Sequence, residues 1–188
     1  MSDLSLRLGV IIGSVRKDRF GPTVAAWLLG QLKERTEFEV DLIDLADFQL
    51  PADLGGGGET AGFLTRIDRA DAFVVVTPEY NHGYPGGLKI AIDTGREEWK
   101  AKPVAFVSYG GVAGGLRSVE QLRPVFAELH AVTIRTAVSF HWADSLFDDD
   151  GRLLEPEKAE SAVDGMLQQI EWWGRMLRSG RGKGDYRG

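Results

Sequence analysis

Residues 72–93 read AFVVVTPEYNHGYPGGLKIAID. An uninterrupted apolar run, 72–76, follows the charged Asp71 and passes into Thr77 and Pro78. Two aromatics, an amide and an imidazole then fall within five residues (Tyr80, Asn81, His82, Tyr84) before Pro85 opens a helix. A short apolar run bounded by turn residues suits a buried strand. When such a strand empties into a polar, aromatic, glycine-containing loop, the loop is where open α/β sheets place their ligands. This stretch therefore reads as one wall of a pocket for a flat aromatic cofactor.

Working outward, the same alternation of strand and helix recurs. Upstream, the apolar run 6–12 stops at Gly13, and Val24, Trp27, Leu28 and Leu32 follow at helical spacing. Phe38, Val40 and Leu42 alternate with Glu37, Glu39 and Asp41, as in an edge strand with one wet face. Residues 44–58 end in four glycines and are either a mobile flap or a flexible connector. A short helix with Phe63 and Ile67 leads back to the run at 72.

Downstream, Pro103 precedes the run 104–107, and a glycine cluster at 110–115 precedes a helix carrying Leu116, Val119, Leu122, Phe126 and Leu129. Pro124 is expected to kink or interrupt that helix. Residues 131–134 form a last strand, which 136–140 extend past a bend. Pro156, at a helix N1 position, opens a long amphipathic helix through Ala159, Val163, Met166, Leu167, Ile170, Trp173 and Leu177.

Five strand–helix units with two central strands apolar throughout define an α/β fold, with a parallel sheet covered on both faces. The wet-faced second strand belongs at an edge. The expected architecture is a flavodoxin-like three-layer sandwich, with a five-stranded parallel sheet in the order 2-1-3-4-5. One domain is expected over 1–180, with 181–188 a disordered tail.

Composition narrows the chemistry. The chain has no cysteine, which removes thiolate metal sites, disulfides and Cys nucleophiles. With 22 Lys+Arg against 28 Asp+Glu, its net charge of −6 disfavours nucleic acid. The basic stretch Arg175, Arg178, Arg181, Lys183 and Arg187 is diluted by glycines and reads as a solvated, frayed terminus. Nothing at the N-terminus reads as a signal peptide, and no apolar stretch approaches membrane-spanning length, so a cytoplasmic protein without a membrane partner is expected.

In the 2-1-3-4-5 order, the loops after the first, third and fourth strands lie side by side. The first runs from Gly13 to Thr23 as GSVRKDRFGPT. Its serine, its cations and the helix N-terminus behind it suit a phosphate monoester, though a surface turn with solvated charges has the same composition. It is neither G-x-G-x-x-G nor Gly-Lys-Ser/Thr. In the second loop, Glu79 is a candidate acid, or a carboxylate that braces the loop or a subunit contact. His82 is a base, a cofactor neighbour or an ordinary hydrogen-bonding residue. The third, SYGGVAGGLR at 108–117, allows close approach of main chain to a ring edge, or is a plain glycine-rich connector. Asp148–Gly151, DDDG, lacks EF-hand spacing and reads as a turn. His130 and His141 have no metal-ligand spacing, so no metal site is expected. Trp172 and Trp173 read as core or subunit contacts.

Taken together, GSVRKDR (13–19), PEYNHGYPGGLK (78–89) and SYGGVAGGLR (108–117) resemble the NAD(P)H-dependent FMN reductase family, over residues 6–129. The resemblance implies FMN, with its phosphate at Ser14, Arg16 and Arg19, assisted by Gly21 and Thr23. It implies Pro78, Glu79, Tyr80 and Asn81, with His82 beside them, around the isoalloxazine. Ser108, Tyr109, Gly110 and Gly111 complete the other edge. It further implies NAD(P)H as co-substrate, ping-pong hydride transfer through flavin N5 to a small-molecule electron acceptor such as a quinone, and a dimer or tetramer with Glu79 and Arg117 near the interface. No protein catalytic residue is required, in keeping with the absence of G-x-S-x-G and H-E-x-x-H motifs. Ile90 stands where the family pattern has asparagine, and Arg19 and Gly21 where many members carry Ser and Asn. Rival readings are a flavodoxin-type electron carrier acting between protein partners, which the acidity suits, and a regulator that has lost redox function.

Overall fold

A computed structural model of the chain describes residues 5–184 and Tyr186. Five parallel strands form one sheet: β1 (Leu6–Ile12), β2 (Phe38–Asp44), β3 (Ala72–Pro78), β4 (Pro103–Gly110) and β5 (Val132–His141). Their spatial order is β2-β1-β3-β4-β5. Helices α1 (Gly21–Leu32), α2 (Thr60–Arg69), α3 (Gly86–Thr94), α4 (Leu116–Glu128) and α5 (Glu157–Arg181) follow the strands in turn. This is the flavodoxin-like three-layer sandwich expected from the sequence.

Successive strand residues point to opposite faces, and two apolar clusters result. Leu8, Val10, Ile12, Val74, Val76 and Val107 pack with Val24 and Leu28 of α1 and with Val163, Met166 and Ile170 of α5. Ile11, Phe73, Val75 and Phe106 pack with Phe63 and Ile67 of α2, Leu88 and Ile92 of α3, and Leu122 and Phe126 of α4. A parallel sheet dry on both faces explains the unbroken apolar runs of β3 and β4.

Two elements differ from the sequence reading, and a third, the bent last strand, agrees with it. The dry face of β2 stops at Val40: Leu42 is 40% exposed, whereas Ile43 is fully buried in the second cluster under α2. Helix α4 runs on through Pro124 without interruption. Glu120 and Pro124 both lie on its exposed side, where the carbonyl that loses its donor can take water. The bend in β5 is a register shift, with Val104 opposite Thr133 and Phe106 opposite Ala137.

The basic stretch near the C-terminus is not frayed over its first part. Arg175 lies on α5 and pairs with Glu171 at 2.9 Å. Arg178 and Arg181 both reach Asp71, at 3.2 and 3.1 Å, and Arg181 also donates to the Ala101 carbonyl. The two arginines thus clamp α5 to the starts of β3 and β4. Asp185, Arg187 and Gly188 of the expected tail lie outside the described residues.

Next to this clamp, Lys102 is 5% exposed and donates to the carbonyls of Ile67 (2.8 Å) and Asp68 (2.7 Å) in the last turn of α2. Burial, reinforced by the Arg181 charge, pushes its pKa down to about 8 from an ordinary 10.5. Between those values the unfolded chain holds a proton that the folded chain has released. Stability from this site is therefore gained as pH rises through the window. The difference in unfolding free energy between the wild type and Lys102→Met is expected to grow by about 2 kcal/mol from pH 8 to 10. Urea titrations at both pH values check this, and a flat difference contradicts it.

Candidate functional site

The loop after β1 leaves the sheet at Gly13, whose N–H donates to the Val76 carbonyl of β3 at 2.8 Å. From Ser14 through Gly21, no main-chain N–H makes a close hydrogen bond to main chain among the described residues, although Lys17 and Asp18 form a turn. Ser14 is fully buried, and its hydroxyl oxygen accepts from the Tyr109 hydroxyl at 3.3 Å. Helix α1 then begins at Gly21, followed by Pro22, with no side-chain cap. Val15 to Asp18 are exposed and their amides reach solvent, whereas Ser14 and Gly21 are buried, where an amide without a partner is costly. A run of free amides leading into a helix N-terminus is an anion site. Arg16 and Lys17, exposed in the same loop, add positive charge. The donor set fits a phosphate monoester.

Two residues of the expected phosphate set are engaged elsewhere. Arg19 forms a two-pronged pair with Asp44, at 2.6 and 2.5 Å, and donates to the Ser14 carbonyl at 2.6 Å. Its charge is spent tying the loop to the end of β2, so it shapes the site from behind. Thr23 donates its N–H to the Phe20 carbonyl, and its methyl lies 3.3 Å from where a Cβ on Gly151 would stand, so it faces the 148–152 turn. Gly21 packs against this corner: a Cβ there would stand 2.6 Å from Ser14 Oγ and 2.9 Å from Tyr109 Oη. The helix closes onto Ser14 only because Gly21 has no side chain.

The Arg19–Asp44 pair keeps about one sixth of each side chain exposed (15% and 17%). Asp44→Ala leaves the guanidinium without its counter-charge. The expected cost is about 2 kcal/mol, below that of a fully buried pair because both groups retain some water. Urea denaturation checks this; an unchanged midpoint contradicts it.

The loop after β3 is a tight hairpin. Tyr80 and Gly83 exchange both main-chain hydrogen bonds (2.9 and 3.1 Å), and the tip residues Asn81 and His82 have φ of 49° and 74°. Two positive φ values define a type I′ turn, an unusual demand on non-glycine residues. Helix α4 holds it: Ser118 Oγ lies 2.8 Å from the carbonyls of both Pro78 and Gly83, which share its one proton, and Gln121 donates to that of His82 at 2.9 Å. Asn81 and His82 are thereby presented to solvent on a fixed backbone. Glu79 is a brace: its carboxylate, 9% exposed, pairs with Arg117 at 2.8 Å and joins the second loop to the third.

In the loop after β4, the hydroxyls of Ser108 and Ser139 both donate to the Gly114 carbonyl at 2.8 Å. Glu79 N–H donates to the Tyr109 carbonyl at 3.1 Å, and a Cβ on Gly110 would stand 3.6 Å from Glu79 Cβ, so the second and third loops touch. Gly111 is exposed above them. The Tyr109 side chain points down toward Ser14. Burial raises its pKa far above the ordinary phenol value, so it stays a neutral donor. Ser14, Gly21 and Tyr109 therefore form one corner of the site, and Pro78, Glu79, Gly110 and Arg117 another.

Sequence reasoning missed the loop after β5. Gly110 lies opposite His141, and Trp142 N–H donates to the Gly111 carbonyl at 3.0 Å. The aromatic run Phe140-His141-Trp142 at a strand end was the available signal. Ile90, at the departure from the family pattern, lines an apolar cleft of about 230 Å³ with Val15, Leu45, Phe48 and Leu50. The first part of the 44–58 segment is thus a wall beside the first loop.

An anion-ready turn at the β1/β3 switch point, beside two touching glycine-bearing loops, places the chain among flavodoxin-like α/β proteins with a nucleotide site at the carboxyl edge of the sheet. Within that class the chain belongs to the NADPH-dependent FMN reductase family, whose model matches residues 6–144. It is 41% identical over 117 residues to an NAD(P)H-dependent FMN reductase of Schizosaccharomyces pombe, covering 56% of this chain and 58% of that protein. It is 30% identical over 182 residues to a quinone reductase of Pseudomonas putida, covering 92% of this chain and 96% of that one. Among solved structures it resembles the flavoenzyme NAD(P)H:(acceptor) oxidoreductase FerB of Paracoccus denitrificans, with a TM-score of 0.74, 25% identity, and 92% and 98% of the two chains covered.

Proposed function

We propose that the protein is an FMN-dependent oxidoreductase that uses NAD(P)H to reduce a small acceptor of the quinone type. The observation that carries this reading is the run of main-chain N–H groups from Ser14 to Gly21, without close main-chain partners, around a fully buried serine hydroxyl. Such a set is completed by a phosphate. Arg16 supplies the compensating charge. Pro78, Tyr80 and Asn81 on the fixed hairpin hold one edge of the ring system, and Gly110 and Gly111 admit the other. Bound there, the flavin supplies the two-electron redox chemistry; the protein supplies position and access. The Glu79 carboxylate is held by Arg117, so it serves the ring site as a strut rather than as an acid.

The electron-carrier reading is not favoured, because relatives named as reductases cover nearly the full chain. No helix among the described residues is long and apolar enough to cross a membrane, in keeping with a cytoplasmic enzyme. A homo-oligomer suits Trp172 and Met176, 57% and 51% exposed one turn apart on α5. Purified protein mixed with NADPH under nitrogen is expected to bleach without any partner protein and to recover its colour with a naphthoquinone. A yellow protein that NADPH alone leaves unbleached contradicts the reading.

A further inference from the structure

We propose that Trp142 is an aromatic platform on which the second substrate lays a planar ring at the open side of the cofactor site. This rests on the FMN reading above and adds to it a residue outside the three cofactor loops.

The placement follows from topology. Strand β5 ends level with β4, so its first loop residue arrives beside Gly111. Trp142 N–H donates to the Gly111 carbonyl at 3.0 Å. The neighbouring His141 Nδ1 lies 2.9 Å from the Val112 carbonyl. The fourth loop is thus fastened to the third at two points.

The conformation of Trp142 is costly and fixed. Its φ is 52°, in the left-handed region that bulky side chains rarely adopt. Ser145 locks it, with N–H and hydroxyl both donating to the Trp142 carbonyl, at 2.9 and 2.8 Å. The strain does not serve to bury the side chain, because Trp142 is 59% exposed. Its indole carbons Cζ3 and Cε3 stand 3.7 and 3.9 Å from where a Cβ on Gly111 would be. The absent side chain at 111 leaves that inner edge of the indole uncovered, toward the glycine expected at the ring of the cofactor. Val112 in the third loop and Leu116 at the start of α4 are 66% and 49% exposed.

A rigid exposed indole beside an open ring slot suits a flat aromatic partner, by offset or edge-to-face contact. Two substrates of a reductase carry such a ring: the acceptor, if a quinone, and the nicotinamide nucleotide, through its adenine or its nicotinamide. The shared chemistry is a planar ring brought in after the flavin is seated.

The test uses protein labelled with 5-fluorotryptophan and loaded with FMN. The chain has five tryptophans, and the fluorine resonance missing from Trp142→Phe identifies position 142. Titration with menadione and, separately, with NADP+ is expected to shift that resonance with at least one of them. A shift with menadione names the acceptor as the ring; a shift with NADP+ names the nucleotide. Trp142→Ala is expected to weaken the same ligand about tenfold, with Trp142→Phe recovering most of the loss. A resonance unmoved by both ligands in yellow protein overturns the proposal. So does one that moves only on dilution, which marks a contact between two copies. A protein that takes up no FMN shows itself as colourless before any titration; it refutes the cofactor reading and removes this proposal with it.

Discussion

Gly115→Ala is expected to lower the midpoint of thermal unfolding by about 10 °C. Gly115 has φ of +83°, and a Cβ there would stand 2.7 Å from Ser108 Cβ and 2.8 Å from Tyr109 N. An L-residue in the left-handed region costs about 1–2 kcal/mol. The clash adds about 1–3 kcal/mol, because the atoms in the way include main chain of β4, which cannot rotate aside. The strand end that must move carries Ser108, Tyr109 and Gly110, so the damage reaches the Ser14–Tyr109 contact and the ring edge together. Calorimetry on the cofactor-free protein isolates the stability term. A midpoint within a degree or two of wild type contradicts the account of this loop.

The second large effect concerns affinity. Ser14→Ala combined with Arg16→Ala is expected to weaken FMN by about a hundredfold or more. The charge-assisted bonds of one arginine contribute about 1.5–3 kcal/mol and a hydroxyl about 1 kcal/mol, with tenfold for every 1.4 kcal/mol. Arg16 is exposed in the loop, and among the described residues the Ser14 hydroxyl hydrogen-bonds only to Tyr109, at 3.3 Å. The fold should therefore survive, and circular dichroism with equilibrium dialysis separates affinity from unfolding. An affinity within threefold of wild type contradicts the assignment of this loop to a phosphate.

Much of the fold was legible because its physics is local. The buried strands β1, β3 and β4 are near-continuous apolar runs, and α1, α4 and α5 carry helical periodicity. What alternation could not show was the lateral cover. Ile43 is buried because α2 lies over that end of β2, a contact between distant segments. Pro124 is expected from sequence to kink or interrupt α4 because the sequence does not reveal that its side of the helix faces water.

The candidate site was legible where residue type and backbone demand coincide, as at Gly13 and Gly21, whereas 80–83 read only as a loop because its tip demands positive φ of Asn81 and His82, which are not glycine. It was illegible where a charge had a distant partner. Arg19 looks like a phosphate ligand until Asp44, 25 positions away, is found beside it. Glu79 and Arg117 were suspected together, but their pairing across 38 positions needed coordinates. Arg178 and Arg181 looked frayed because Asp71 lies more than a hundred positions earlier. Trp142 lies outside the three loops that the family pattern marks, and only the register of β5 against β4 brings a fourth loop beside them.

The central claim is that the turn after β1 is a phosphate cradle, and the most direct measurement compares FMN with riboflavin, which lacks only the phosphate. Equilibrium binding of each to the cofactor-free wild-type protein is expected to show FMN tighter by about a hundredfold or more, given the two or more charge-assisted contacts at stake. Riboflavin binding as tightly as FMN contradicts the account, because the ring loops alone would then hold the ligand and the turn from Ser14 to Gly21 would contribute nothing to affinity.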